Sequence, residues 1–167
     1  MQDLVLAVAL LVCMTTDLRE HKIYNMVLLP TFFVGVGYNI VTTGWPGLLQ
    51  SVLGLLVGLA ILFIPFALGG MGAGDVKLLA VIGAIKGPAF VFYSALGMGL
   101  AGGAMALAIM AYKAELFHNP AKFFRGIWLM LISGFKVNTF DLGKEKILLP
   151  YGVAIAVGAA GAYWWMR

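Results

Sequence analysis

Gly69-Gly70-Met71-Gly72-Ala73-Gly74-Asp75-Val76-Lys77 joins two apolar runs, 48–68 and 76–85. A carboxylate at the edge of a lipid-embedded segment is costly to keep there, which makes it a candidate functional group. A second acid, Asp17, stands where the first apolar run, 4–16, ends. Two acids in equivalent positions predict an acid/base pair, provided that the surrounding runs lie in a bilayer.

The composition supplies that condition. Of 167 residues, 62% are apolar and only 11% charged, with a mean hydropathy of +1.00. A soluble domain carries about 25% charged residues. The chain therefore reads as an all-α integral membrane protein. At roughly 20 apolar residues per crossing, its length allows a polytopic bundle of about six transmembrane helices in a single domain, 1–167. The isoelectric point near 9.3 does not require nucleic acid, because topology accounts for the basic residues. The single cysteine, Cys13, excludes an internal disulfide and a paired-cysteine metal site, and packs within the first run.

The expected spans are 4–16, 24–41, 48–68, 76–85, 89–112 and 147–165. The first has no basic residue before it and no small-residue cleavage site, so it is expected to remain in the mature protein. The fourth is too short to cross about 30 Å at 1.5 Å per residue and is expected to start inside the membrane boundary. The segment 113–146 is the long connection. Its apolar part, 123–135, contains Arg125 and Gly126 and is expected to lie at the interface or re-enter. If it crosses instead, the last span is inverted.

With six spans, Arg19, Lys22, Lys77, Lys113, Lys122, Arg125, Lys136, Lys144 and Lys146 share one side, against Lys86 and Arg167 on the other. The positive-inside rule makes the richer side cytoplasmic. Asp17 and Asp75 then meet the same cytoplasmic edge.

Glycine allows positive φ or close approach of another segment, and irregular backbone at membrane depth is tolerated only around a protected or wet site. The run 69–74 is expected at such a place. Taken singly, Asp75 reads as an N-cap of the following helix and Asp17 as an anchor at a span's end. Their coincidence on one side favours chemistry.

Gly72-Ala73-Gly74-Asp75 resembles the GxGD motif of intramembrane aspartyl proteases, and with Lys77 the GxGDxK form of type IV prepilin peptidases. Asp17-Leu18-Arg19-Glu20-His21-Lys22-Ile23-Tyr24-Asn25 resembles that family's D-x-R-x-x-x-I-P-N segment, with Tyr24 in place of proline, which is expected to loosen the turn. Leu149-Pro150-Tyr151-Gly152 resembles its P-[FY]-G segment. The resemblance implies an aspartyl endopeptidase of the bacterial inner membrane, acting in pilus biogenesis. It would remove the short basic leader of prepilins at the cytoplasmic face, with Asp17 and Asp75 catalytic and Gly72, Gly74, Lys77, Arg19, Asn25, Pro150 and Gly152 supporting. The family's larger members also methylate the new N-terminus through a cytoplasmic domain with paired CxxC motifs, which this chain lacks. The short form resembles peptidases of tight-adherence (Flp-type) pili.

Two adjacent acids cannot both ionise at close range, so one serves as base and the other as acid. The helix dipole favours an anionic Asp75 at a helix start and a neutral Asp17 at a helix end, while Arg19, His21 and Lys22 oppose the latter. His21 and His118 are too few for a metal site, and no cofactor is expected. Gly97, Gly99, Gly102 and Gly103 are read as packing positions. The prepilin and the lipid bilayer are the expected partners, with no nucleic acid. Two rivals remain: an archaeal-type preflagellin peptidase, and a small proton-coupled transporter or channel component using the acids as a relay. Against the relay, the chain shows no obvious internal repeat.

Overall fold

A computed structural model describes residues 2–20, 22–112 and 151–166. The connection 113–146, its part 123–135, His21 and Pro150 lie outside them. Among the described residues the chain is all-helical: α1 Gln2–Glu20, α2 Asn25–Thr43, α3 Trp45–Ala67, α4 Ala73–Lys86, α5 Pro88–Tyr112 and α6 Tyr151–Trp165.

Three helical stretches, Asn25–Thr43, Trp45–Ala67 and Pro88–Met105, are long and apolar enough to cross a membrane. Large apolar side chains cover the outside of the bundle, including Phe33, Leu56, Phe63, Leu96 and Leu100. A surface of this kind suits lipid, not water.

The inside is built on small residues. α3 turns Gly47, Ser51, Gly54, Gly58 and Leu62 inward, at helical spacing. Gly54 and Gly58 lie against α4 so closely that a Cβ on Gly54 would fall 1.9 Å from the Gly83 carbonyl oxygen, and one on Gly58 2.8 Å from the Ala80 Cα. Small residues four apart let helix backbones touch, which maximises dispersion contact where no hydrophobic effect drives helices together. α5 and α6 pair in the same way through Gly97 and Gly158. Of the four glycines assigned to packing on α5, Gly97 meets backbone, Gly102 lies 3.9 Å from the Ala154 Cβ, and Gly99 and Gly103 have nothing within 4 Å.

α4 is the axis of the bundle. Ten of its 14 residues are buried, and α1, α2, α3, α5 and α6 all touch it. It is indeed short, about 21 Å at 1.5 Å per residue, but it is enclosed by other helices and need not match the bilayer alone.

The helices alternate in direction. α5 starts beside the end of α4, and α6 runs antiparallel to α5, with Gly97 against Gly158 and Gly102 near Ala154. Residues 112 and 151 therefore lie at the same end of the bundle. That end holds Asp17 and Asp75. The other end holds Trp45, Trp164 and Trp165, all exposed in the manner of an interfacial aromatic belt.

Candidate active site

α1 is four residues longer at its C-terminus than its apolar run, and Asp17 lies inside it. Its buried residues are Leu6, Ala9, Cys13 and Asp17, spaced by three and four. Asp17 is thus the last member of the stripe that faces the core. It is 7% exposed, as is Asp75. The Asp17 Oδ2 accepts a hydrogen bond of 2.7 Å from the Gly152 N–H, at the first turn of α6. A Cβ on Gly152 would come within 2.8 Å of that oxygen, so only glycine lets the amide reach the carboxylate.

The run 69–74 divides its work. Gly69, at φ 75°, ends α3: the Gly69 N–H donates to the Phe66 carbonyl and the Gly70 N–H to the Pro65 carbonyl, a Schellman closure that needs a left-handed residue. Gly72 and Gly74 are present for close approach instead. Gly72 is the extended N-cap of α4, and Asp75 is its third helical residue, not the cap itself. The Gly72 N–H donates back to the Asp75 Oδ2 at 3.2 Å. A Cβ on Gly74 would stand 2.9 Å from the Ile23 Cβ, which seats the link between α1 and α2 directly on the first turn of α4.

The link is further held by Lys77, whose ammonium donates to the Asn25 Oδ1 at 3.2 Å, and by the Tyr24 hydroxyl, which donates to the Glu20 carboxylate. Tyr24 has φ −82°, close to the value proline imposes. At this position the phenol ties the link back to α1. Arg19 is exposed on the last turn of α1, with no role in this contact.

The two carboxyl groups are within electrostatic reach of each other, and Tyr151 is within reach of Asp75. Tyr151 is half-buried and packs on the core. Tyr151 and Gly152 both lie in the P-[FY]-G segment, which marks Gly152 as supporting; the motif does not show that the Gly152 amide reaches Asp17 or that the Tyr151 phenol stands near Asp75. The C-terminal end of α1 is not the only helix end at Asp17. Asp75 accepts an N–H at the start of α4 and Asp17 accepts one at the start of α6, so both carboxylates face a positive helix end. Among the described residues no three His, Cys, Asp or Glu side chains gather as metal ligands.

The site thus brings together two buried acids from segments 58 residues apart, each bonded to a backbone amide and one of them beside a phenol, while an exposed lysine two residues after Asp75 ties α4 to the start of α2. No curated protein and no solved structure matches the chain. The family model for the type IV leader peptidase family matches residues 4–107, which include both acids and stop before α6. With well over half of its length matched, the chain belongs to the type IV leader peptidase family.

Proposed function

We propose that the protein is an aspartyl endopeptidase that cleaves the basic leader from type IV prepilins, of the Flp type, with Asp17 and Asp75 as its catalytic pair. The observation that carries this reading is the convergence of the two acids at one end of the bundle, buried and within electrostatic reach. Cleavage by such a pair divides the work: an ionised carboxyl takes a proton from water, and a protonated one polarises the scissile carbonyl. Water attacks the carbonyl carbon, and the proton taken up then passes to the leaving amine. Gly152 fixes the Asp17 oxygen, Gly72 the Asp75 oxygen, and Lys77 with Asn25 the link between them.

A cytoplasmic position for the site is supported by charge. Among the described residues Arg19, Lys22 and Lys77 lie at the site end and Lys86 at the other. Positive residues concentrate on the cytoplasmic side of bacterial inner-membrane proteins. The paired-cysteine motifs associated with methylation in larger relatives have no counterpart in this sequence, which supports cleavage without methyl transfer.

The test is cleavage of a coexpressed prepilin by Asp17→Asn and Asp75→Asn, each of which keeps size and removes the ionisable group. Loss of about 10³-fold in kcat, with normal membrane insertion, is expected from removing a proton-transfer group. Full processing by either variant eliminates the pair.

A further inference from the structure

Asp17 and Asp75 sit on helices that hardly pack on one another. α1 packs mainly on α2 and α6 and touches α4 only lightly, and α4 in turn makes little contact with α6. Yet α1 carries Asp17, α4 carries Asp75, and α6 carries the Gly152 amide that holds Asp17. α1 and α6 pack on one another, but direct packing of α4 on either is too sparse to set its register against them.

At the opposite end of the bundle the same three helices are tied directly. The Lys86 ammonium, on the last turn of α4, pairs with the Asp3 carboxylate on the first turn of α1. The Tyr163 hydroxyl, on α6, donates to the other Asp3 oxygen at 3.0 Å. The triangle closes through the Tyr163 ring, whose centroid is 5.2 Å from the Lys86 nitrogen, with the Phe90 ring 5.8 Å away on another side. The Lys86 side chain is 19% exposed and the Asp3 side chain 52%. The directionality of the pair comes from its geometry: one Asp3 oxygen takes the ammonium and the other the phenol, with two aromatic rings beside the lysine nitrogen.

We propose that Asp3, Lys86 and Tyr163 form a positioning clasp that sets α1, α4 and α6 in register and thereby holds the acids in reacting geometry. Asp3 precedes Asp17 by 14 residues, Lys86 follows Asp75 by 11, and Tyr163 follows Gly152 by 11. At 1.5 Å per residue the clasp acts over about 16 to 21 Å of stiff helix. A second tie runs in parallel: Gln2 donates to the Asn39 Oδ1 at 2.6 Å, and the Asn39 Nδ2 donates to the α4 carbonyls of Ala84 and Ile85. That route passes through α2, whereas the clasp joins the site-bearing helices without an intermediary. None of the three residues touches the reacting groups, so their effect is on geometry alone.

The inference rests on the dyad reading, and its test separates the two. In full-length protein with Cys13→Ala, spin labels at Leu18→Cys on α1 and Ala73→Cys on α4 report the separation of the site ends of these helices, independently of activity. Both positions are exposed. Asp3→Asn and Lys86→Gln are expected to broaden that distance distribution, and the swapped pair D3K/K86D to restore it. In unlabelled protein the single variants are expected to lose about tenfold in kcat with KM unchanged, since sub-ångström misplacement of a reacting group is costly in rate. The swap should recover most of that loss. Tyr163→Phe removes one hydroxyl from a partly exposed side chain and serves where the charge variants fail to accumulate; about threefold in kcat is expected, as for one weakened positioning contact. An unchanged distance distribution overturns the clasp, as does a swap that fails to restore kcat, or a loss of activity that follows only the amount of folded protein. Asp17→Asn and Asp75→Asn decide separately whether what the clasp positions is the reacting pair.

Discussion

At the scale of residues, the site depends on backbone amides that side-chain identity cannot advertise. Gly152 illustrates this. A methyl group at that position meets the Asp17 Oδ2 at 2.8 Å and its Cβ at 3.0 Å, so Gly152→Ala must push the carboxylate, the start of α6, or both. We expect Gly152→Ala to insert normally and to lose about 10- to 100-fold in kcat, with KM little altered, because the displaced group acts on the transition state. Prepilin cleavage by the purified variant over a range of substrate concentrations measures it. Asp17 itself is legible in the sequence as an acid at the end of the first apolar run; that it shares a face with the buried Leu6, Ala9 and Cys13 is shown only by the fold, because residues 4–14 are apolar on every side. The hydrogen bond that it accepts is not legible, because the donor is a main-chain group brought from 135 residues away. For the same reason the dipoles of the two helices that carry the acids do not decide which acid holds the proton, since a third helix, α6, points its own positive end at Asp17.

At the scale of elements, α4 shows what hydropathy resolves and what it leaves hidden. Its position between the glycine run and Gly87-Pro88 is evident from punctuation, and its shortness is evident from length. Its burial on every side is not, because no apolar stripe distinguishes a helix surrounded by protein from one surrounded by lipid. The decisive contact is backbone against backbone, Gly54 against Gly83, where a Cβ on Gly83 would stand 2.1 Å from the Gly54 oxygen. Gly83→Ala is therefore expected to destabilise the bundle by about 1–3 kcal/mol, the usual cost of overpacking, and to lower the thermal midpoint in detergent. Gly37→Ala is the control, since nothing lies within 4 Å of a Cβ there; its midpoint should hold or rise slightly. Hydropathy also places the end of α1 too early. Asp17, Arg19 and Glu20 end the apolar run, but they do not break a helix, and the helix continues to Glu20.

At the scale of the whole molecule, among the described residues Arg19, Lys22 and Lys77 lie at the site end and the exposed Trp45, Trp164 and Trp165 at the other. A cysteine replacing Lys22, at the site end, is expected to resist an impermeant thiol reagent in intact cells, and one replacing Trp45, at the other end, to react, both in a Cys13→Ala background. The opposite pattern contradicts cleavage of a cytoplasmic leader. Two acids sharing a proton activate water without a Lewis acid. Cleavage by the purified protein is thus expected to persist in EDTA, and zinc-dependent recovery after chelation rejects the aspartyl mechanism. The alternation of six helices follows from run lengths and basic residues, whereas the polar ties at the far end, Asp3 to Lys86 and Gln2 to Asn39, involve common surface residue types whose pairing only the fold reveals.

The hydrogen bond from Gly152 to Asp17 also has a meaning in time, because a ribosome delivers the chain from its N-terminus. Both acids have been synthesised by residue 75, yet the amide that holds Asp17 arrives only with the final helix. A nascent chain halted at residue 112 already contains α1 to α5 and the complete pair of carboxyl groups, but it lacks the segment that orients one of them. Such a chain should be silent as a protease, and coexpression of residues 113–167 as a separate polypeptide should switch it on. Cleavage would then wait on the synthesis of α6, however early both acids are in place.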